Sequence, residues 1–492
     1  MGTTTKKTYK QLEQDYQNLE QRYNSLHRQL DDLRRMIFGQ KSERFISDVV
    51  SNQLSLGLEG QKQKVEEKNQ PETQAISYTR KKKKEPSRQA LPDHLPRAQQ
   101  IIEPEEDTTG MKLIGEEITE ILAKQPSRLF VIQFIRKKYA KADGSGIVIG
   151  KLPSRAIQKG LAHETVLADI LVSKYVDHLP LYRQAKIFAR EGVKIATSTM
   201  NDWVKASCKL LEPLYEALKK DILLNDYLQV DESPIKVLDR KKKGKTHLGY
   251  HWLYHSIGVP LVLFDYQKGR GREGPGQMLK DFKGYLQTDG YTVYDEFGKN
   301  KDITLMGCMA HARRYFDKAL DNDQARAQHF LAEVQQLYAL ESNLRDQQAD
   351  WKKRLSARQE LALPILNRLR VWLKTEQAKV LPKSAIGKAI NYSLVRWDKL
   401  CVYAGNGGLE IDNNLIENQV RPLALGRKNY LFAGSHQGAK HAAILYSLFG
   451  SCKLNGLDPF KYLHAVLDKL PDHPIIRISE LLPCYVRFEE EG

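Results

Sequence analysis

The sequence predicts a multidomain α/β protein whose core is a mixed sheet interrupted by a helical insertion. Three observations lead there. The chain has 492 residues, more than one hydrophobic core accommodates, so three or four modules are expected. Between Asp226 and Met306 the apolar pattern takes on strand period. Three strands follow one another, and strands then alternate with helices, which describes a mixed rather than an all-parallel sheet. From Asp321 to Leu400 almost every segment has helical period instead.

Residues 1–45 carry a heptad. One row is Leu12, Leu19, Leu26 and Leu33, and the other is Tyr9, Tyr16, Tyr23, Leu30 and Ile37. Alternating steps of four and three keep one seam on one side of a helix, so a short coiled coil is expected to join copies of the chain into a homodimer or larger oligomer. A single amphipathic helix packed on its own protein is the alternative. Residues 46–100 are rich in Gln, Glu, Lys and Pro and read as a flexible linker. Its run Arg80–Lys84 is either a sequence-indifferent phosphate binder or a solvated stretch.

Residues 101–150 form a small β-rich module, because Glu116–Tyr139 alternates apolar and polar positions, as at Phe130, Ile132 and Phe134. Residues 151–220 turn helical. Leu179–Glu191, then Gly192, then Ser198–Ala206 read as helix, turn, helix, with Ser198 or Thr199 as N-cap. A second helix so placed enters a DNA major groove, with Arg183, Lys186, Arg190, Lys194 and Lys205 as candidate DNA contacts. An ordinary helical hairpin fits the spacing equally well. The core is expected at 221–320 and 401–440, with strands Tyr227–Leu238, His247–Ile257, Leu261–Gln267, Tyr285–Thr288 and Ile303–Met306. A helical insertion fills 321–400, and 441–492 is a C-terminal helical element.

Composition narrows the function. There are 77 Lys and Arg against 60 Asp and Glu, a net charge of +17, and a soluble protein this basic meets a polyanion, with double-stranded DNA or another nucleic acid ahead of a membrane or ribosome surface. The five cysteines, Cys208, Cys308, Cys401, Cys452 and Cys484, have no paired spacing, which suits a reducing compartment. The N-terminal stretch is polar, and no apolar run has the length of a membrane span, so a cytoplasmic protein without membrane contact is expected. Gly244-Lys245-Thr246 imitates the end of a nucleotide-binding loop, but the required earlier glycine is Asp239, so ATP use is not expected.

Three acids stand where chemistry is supported. Asp231 ends the strand YLQVD, Asp289 ends the strand in GYLQTDG, and Glu417 falls in the first turns of a helix capped by Asn413 or Asn414. A lone acid is usually a solvated surface group. Three on two strand ends and a helix supply the negative charge and hard oxygen donors that two magnesium ions require, with manganese able to substitute. Phosphodiester cleavage asks little more of a protein than positioning and charge neutralisation. Cys308 and His311 have zinc-like spacing but no second pair, so zinc is not expected. His311 is read instead as a contact to the scissile phosphate. Arg421, four residues past Glu417, steers that carboxylate or holds a phosphate, and Arg427 and Lys428 form a small basic cluster for DNA or a solvated helix end.

Long motifs then carry a resemblance over nearly the whole chain: FGQKSERF (Phe38–Phe45), ILVSKYVDHLPLYRQAKIFAREGV (Ile170–Val193), LQVDESP, GYLQTDGY, GCMAHARRYFD, IDNNLIENQVRPLALGRKNYLFAGS and SCKLNGLDPFKYL (Ser451–Leu463). The sequence resembles the transposases of the insertion-sequence-66 family, DDE transposases with an RNase H-like catalytic fold. The resemblance implies Asp231, Asp289 and Glu417 as the metal-binding triad, a helical insertion between the last two, and accessory proteins of the same element as partners. It implies an enzyme that binds the ends of a mobile element, cleaves DNA and transfers the strand. A catalytically silent DNA-binding relict is the alternative, and the intact triad speaks against it. Family members commonly carry zinc-binding cysteine pairs where this chain reads IIEPEEDTTG and KKYAKADGSG, without cysteine.

Overall fold

The computed structural model describes residues 91–487, apart from 92, 94, 105–111, 126–127, 142–145 and 240–244, together with Glu20 and Tyr23. Met1–Ala90 and Leu91–Gly492 are separate units. The expected coiled coil and basic linker run lie outside the described residues, except that Glu20 and Tyr23 are helical.

The second unit begins with a four-stranded sheet of β1 (Arg97–Ile102), β2 (Lys112–Gln125), β3 (Arg128–Ala140) and β4 (Ile147–Ile149). β3 pairs antiparallel with β2 and β4 and parallel with β1. The sheet's first strand, β1, begins within the stretch read as linker and ends in the expected β-rich module. Strand alternation divides the sheet's apolar residues. Ile121, Ala123, Ile132 and Phe134 gather in a small core, while Leu122, Leu129 and Val131 join the main one. Leu122 ties the sheet to the segment that leads into the helices: its N–H donates to Leu161 O and its carbonyl accepts from His163 N, both at 2.6 Å.

Helices α1 (Glu164–Tyr175), α2 (Leu181–Arg190) and α3 (Thr197–Leu223) come next. The N-cap of α3 is Ala196, with no side-chain cap, rather than Ser198 or Thr199. The turn at Gly192, whose φ of 84° suits glycine, is followed by four non-helical residues, Val193–Ala196, before the helix begins. The helix also runs far beyond Ala206, because Cys208, Leu211, Leu214, Leu218 and Ile222 continue one buried face.

The central sheet holds β5 (Tyr227–Leu238), β6 (Thr246–Ser256), β7 (Leu261–Gln267), β8 (Gly284–Gln287) and β9 (Ile303–Met306), with α4 (Glu273–Met278) between β7 and β8. Strand order is β7-β6-β5-β8-β9. The first three strands run antiparallel in turn, and β8 and β9 run parallel to β5. After α5 (Met309–Asp317), the helices α6 (Gln324–Asp346), α7 (Trp351–Ala357), α8 (Leu363–Gln377), α9 (Ala385–Val395) and α10 (Trp397–Cys401) enclose a second hydrophobic core. Inside it Arg358 and Glu341, both fully buried, form a two-pronged ion pair at 2.7 and 2.8 Å. The remaining guanidinium donors hold the carbonyls of Tyr403, Asn406 and Leu409. The buried charge thereby fixes the glycine-rich loop that leads back to the sheet.

The chain returns through α11 (Asn414–Tyr430), α12 (His436–Leu454) and α13 (Pro459–Lys469). α12 covers the edge strand β7, where Phe264 N donates to Ser447 Oγ at 2.8 Å and Val262 N to Ser451 Oγ at 3.1 Å. Helix hydroxyls thus close a strand edge that would otherwise leave backbone donors unpaired. This helix runs continuously across residue 440, where the core was expected to end. Among the described residues no helix is long and apolar enough to cross a membrane.

Candidate active site

Two strands carry the same local sequence. Tyr227-Leu228-Gln229-Val230-Asp231 and Tyr285-Leu286-Gln287-Thr288-Asp289 both read YLQ-x-D. They are neighbours in the sheet, parallel, and in matching register, with Tyr227 opposite Tyr285 and Gln229 opposite Gln287. Two residues further on, Asp231 and Asp289 stand at the same level and on the face of their glutamines. Asp289 follows the end of β8, but Asp231 does not end its strand as expected: it lies within β5, opposite Leu253 of β6, because β5 runs on to Leu238. The repeated pentapeptide is the sequence signal that pairs the acids.

The glutamines are fully buried and hydrogen-bonded, as buried amides must be. Gln287 Oε1 accepts from Gln229 Nε2 at 2.8 Å and from the Tyr227 hydroxyl at 2.6 Å. Gln287 Nε2 donates to Glu410 O at 2.9 Å. Gln229 Nε2 also donates to Asp412 O at 2.9 Å, and its Oε1 accepts from Ile416 N at 3.1 Å. Glu417 is the next residue. One buried network therefore fixes the start of α11 against both acid-bearing strands. Asn413 occupies the N-cap without capping through its side chain. Asp412 does that work, accepting from Asn414 N at 3.0 Å.

Each acid has its own restraint. Asp231 Oδ1 accepts from Glu232 N at 2.8 Å, and Asp289 Oδ1 from Tyr291 N at 2.8 Å. The insertion grips the Asp289 turn from outside. The Tyr392 hydroxyl donates to Asp289 O at 2.8 Å, and Arg396 donates to Gly290 O at 2.7 Å. Gly290 has φ 89°, and a Cβ there would lie 2.5 Å from Arg396 Nε, so the turn demands glycine twice over. Glu417 faces Arg314 at 3.5 Å and His311 at 3.8 Å.

Burial pushes the Asp231 carboxyl well above the usual aspartate range, and the negative charges of Glu232, Asp289 and Glu417 push the same way. Among the described residues, neither Asp231 nor Asp289 has an ion-pair partner. Burial, then the Arg314 charge, holds His311 below the ordinary histidine value. Among the described residues no three His, Cys, Asp or Glu groups stand close enough to enclose one ion. Cys308 is buried and accepts from Asn413 N at 3.4 Å, a packing role.

The other basic candidates separate into two groups. Arg183, Lys186, Arg190, Lys194 and Lys205 are all exposed on α2, α3 and the turn between them. Arg421 and Lys428 are exposed on α11, but the guanidinium beside Glu417 belongs to Arg314 on α5. Arg427 is turned inward, donating to Ser233 Oγ at 3.1 Å and to Pro234 O, so it joins α11 to β5. Sequence reasoning passed over Glu232, whose side chain is 2% exposed. Its Oε1 accepts from Arg270 Nε at 2.9 Å and its Oε2 from the Tyr294 hydroxyl at 2.9 Å.

Comparisons with known proteins agree in direction. Residues 159–441, which contain the central sheet, the insertion and all three acids, match the transposase IS66 family. Residues 447–484 match the IS66 C-terminal element, and residues 25–99 match a segment described as transposase C of IS166 homeodomain. Two relatives from Sinorhizobium fredii bear the names uncharacterized protein y4qI and uncharacterized protein y4jD. The first is 33% identical over 465 residues, covering 90% of this chain and 86% of that one. The second is 32% identical over 424 residues, covering 82% of each. The matched families, spanning more than half of the chain, show that it belongs to the IS66 transposase family.

Proposed function

We propose that this protein is a DNA transposase with an RNase H-like core, and that Asp231, Asp289 and Glu417 are its catalytic acids. The observation that carries the reading is the paired YLQ-x-D register, tethered through Gln229 to the helix of Glu417. The strand order and directions of the central sheet support the RNase H-like assignment.

The donor set fits hard divalent ions such as magnesium or manganese. It consists of carboxylate oxygens, and Asp231 lies in the field of both other acids, a repulsion that dications relieve. Bound there, such ions supply Lewis acidity toward the attacking and leaving oxygens of a phosphodiester. The protein's own residues do the positioning. The glutamine network sets the strands against α11, while Tyr392 and Arg396 hold the Asp289 turn. Glu417 sits in the first turn of α11, where the helix dipole favours a negative charge. His311 stands beside Glu417 and is assigned to the scissile phosphate.

The exposed cations of α2 and α3 bind duplex DNA, and the heptad of residues 1–45 brings two element ends together in one oligomer. The test is incubation of the full chain and magnesium with labelled duplexes copied from the DNA flanking its coding sequence. Cuts at the element end and joined products are expected. Binding without cutting in either magnesium or manganese would leave the silent relict as the better account.

A further inference from the structure

Beside Asp289 lies a cleft of about 460 Å3, walled on one side by the end of the central sheet and on the other by the helical insertion. Arg270, Tyr291, Lys388, Tyr392 and Arg396 line it, so cations and aromatic rings dominate around a single acid. Most of these groups already have work inside the protein. Arg396 holds Gly290 O, and its guanidinium lies over the Tyr392 ring, 4.4 Å from the centroid. Arg270 is arranged differently. It is exposed, yet its orientation is fixed from two sides.

The fixing begins with Glu232. Its buried carboxylate receives Arg270 Nε at 2.9 Å and Nη2 at 2.5 Å, leaving Nη1 outside that pair. The guanidinium then lies over the Tyr291 ring, 4.1 Å from the centroid. Tyr291 is also the residue whose N–H holds the Asp289 carboxylate, and its hydroxyl donates to Arg270 O at 3.4 Å. A side chain that usually retains rotamer freedom is thus pre-oriented next to a catalytic acid. A buried carboxylate that serves only stability needs no exposed arginine as its partner, and an apolar residue of similar size would serve as well.

We infer that Arg270, oriented by Glu232 and Tyr291, contacts a backbone phosphate of the bound DNA strand in this cleft, with Glu232 acting as a positioning residue rather than as a fourth metal ligand. This rests on the proposal that the protein binds and cuts DNA. A planar guanidinium with unused donors matches the geometry of a phosphodiester, and the cleft adjoins the acid that would act on that strand.

The test measures binding of the full chain to the labelled flanking-DNA duplex, in EDTA so that no strand is cut, over a series of salt concentrations. Removing one phosphate contact lowers the slope of log affinity against log salt by about one and weakens binding about three- to tenfold. Arg270→Ala is expected to do this. Arg270→Lys keeps the charge, so it retains the slope while losing part of the affinity. Arg477→Ala removes an exposed cation paired with Glu480 and leaves the slope unchanged. Should Arg270→Ala fail to fold because Glu232 is stranded, the double variant Arg270→Gln with Glu232→Gln replaces the pair by neutral amides and must show the same loss. A wild-type slope in the folded Arg270 variants overturns the inference alone, provided the wild type binds and cuts. A wild type that does not bind the duplex overturns this inference and the proposed function together.

Discussion

The two central strands and the helix that faces them hold their acids in opposite ways. Asp231 and Asp289 sit on adjacent parallel strands whose register fixes their spacing, and no cation among the described residues pairs with either. Glu417 sits on a helix that reaches the sheet only through loop and side-chain contacts, and it is paired with Arg314. Backbone hydrogen bonds set the first pair. Gln229, Arg427 and the buried Ile416 and Leu423 set the helix of the third member, and Arg314 faces its carboxylate. No cation among the described residues offsets the two acids fixed by the sheet, while the acid on the helix faces Arg314. On the proposed function, divalent ions would supply the positive charge between strands and helix.

Removing an acid from either side should have the largest effect. Asp289→Asn and Glu417→Gln are each expected to lower DNA cleavage at least about a thousandfold while duplex binding persists. Near-normal cleavage by either variant, followed on labelled duplex, would remove that residue from the site. Next comes the tether. Gln229→Leu strands the Ile416 N–H and the Asp412 carbonyl, at about 1–3 kcal/mol of stability. It should also cut turnover about ten- to a hundredfold and raise the magnesium needed for half-maximal rate. Lost stability with an unchanged magnesium requirement would mean that Gln229 only packs.

A smaller effect separates the two sides by pH. The folded-state pKa of Asp231 is raised, so the folded chain keeps a proton that the unfolded chain has already released. Its contribution to stability is therefore lost as pH rises from the ordinary aspartate value, about 3.9, through the raised one. Asp231→Asn should melt higher than wild type at neutral pH in EDTA, and the two should converge below about pH 4. Magnesium should then raise the melting temperature of wild type but not of the variant. A wild type that melts higher at neutral pH without divalent ions would contradict the assigned charge state. The smallest effect belongs to Arg314→Ala. The pair with Glu417 is half-exposed and contributes at most about 1 kcal/mol. Its removal should lower the magnesium requirement a few-fold, because Arg314 and the ions compete for one carboxylate. A higher requirement would show that Arg314 orients Glu417 rather than screening it.

The same contrast governs how much of the molecule is legible in its sequence. Tyr227–Leu238, Leu261–Gln267 and Ile303–Met306 are legible because short apolar runs rich in β-branched and aromatic residues are local signals. Asp231 falls within the first of them, and Asp289 just after β8. The start of α3 is not legible, because a serine or threonine near a helix start suggests a cap, whereas here the helix begins at Thr197 after an uncapped Ala196, with Met200 and Trp203 buried. Arg421 looks like the partner of Glu417 because four-residue spacing is visible in sequence, but the pairing guanidinium comes from α5, about a hundred residues away. Arg358 with Glu341, and Glu232 with Arg270, are invisible for a related reason. A charged residue reads as surface until its distant partner is known. The repeated YLQ-x-D is present in the sequence and discloses the buried glutamines to a reader who notices it, since a polar residue inside an apolar strand needs a partner.

The claim on which the rest depends is that Asp231 binds the divalent ion directly. Asp231→Cys puts a thiolate, a softer donor than a carboxylate, at the same position of β5. Cleavage of the flanking-DNA duplex by this variant, compared in magnesium and in manganese, tests the claim most directly. Direct ligation by Asp231 predicts no cleavage in magnesium and partial recovery in manganese, with Asp231→Ala inactive in both. Equal activity of Asp231→Cys in the two ions, or cleavage by Asp231→Ala, would contradict it.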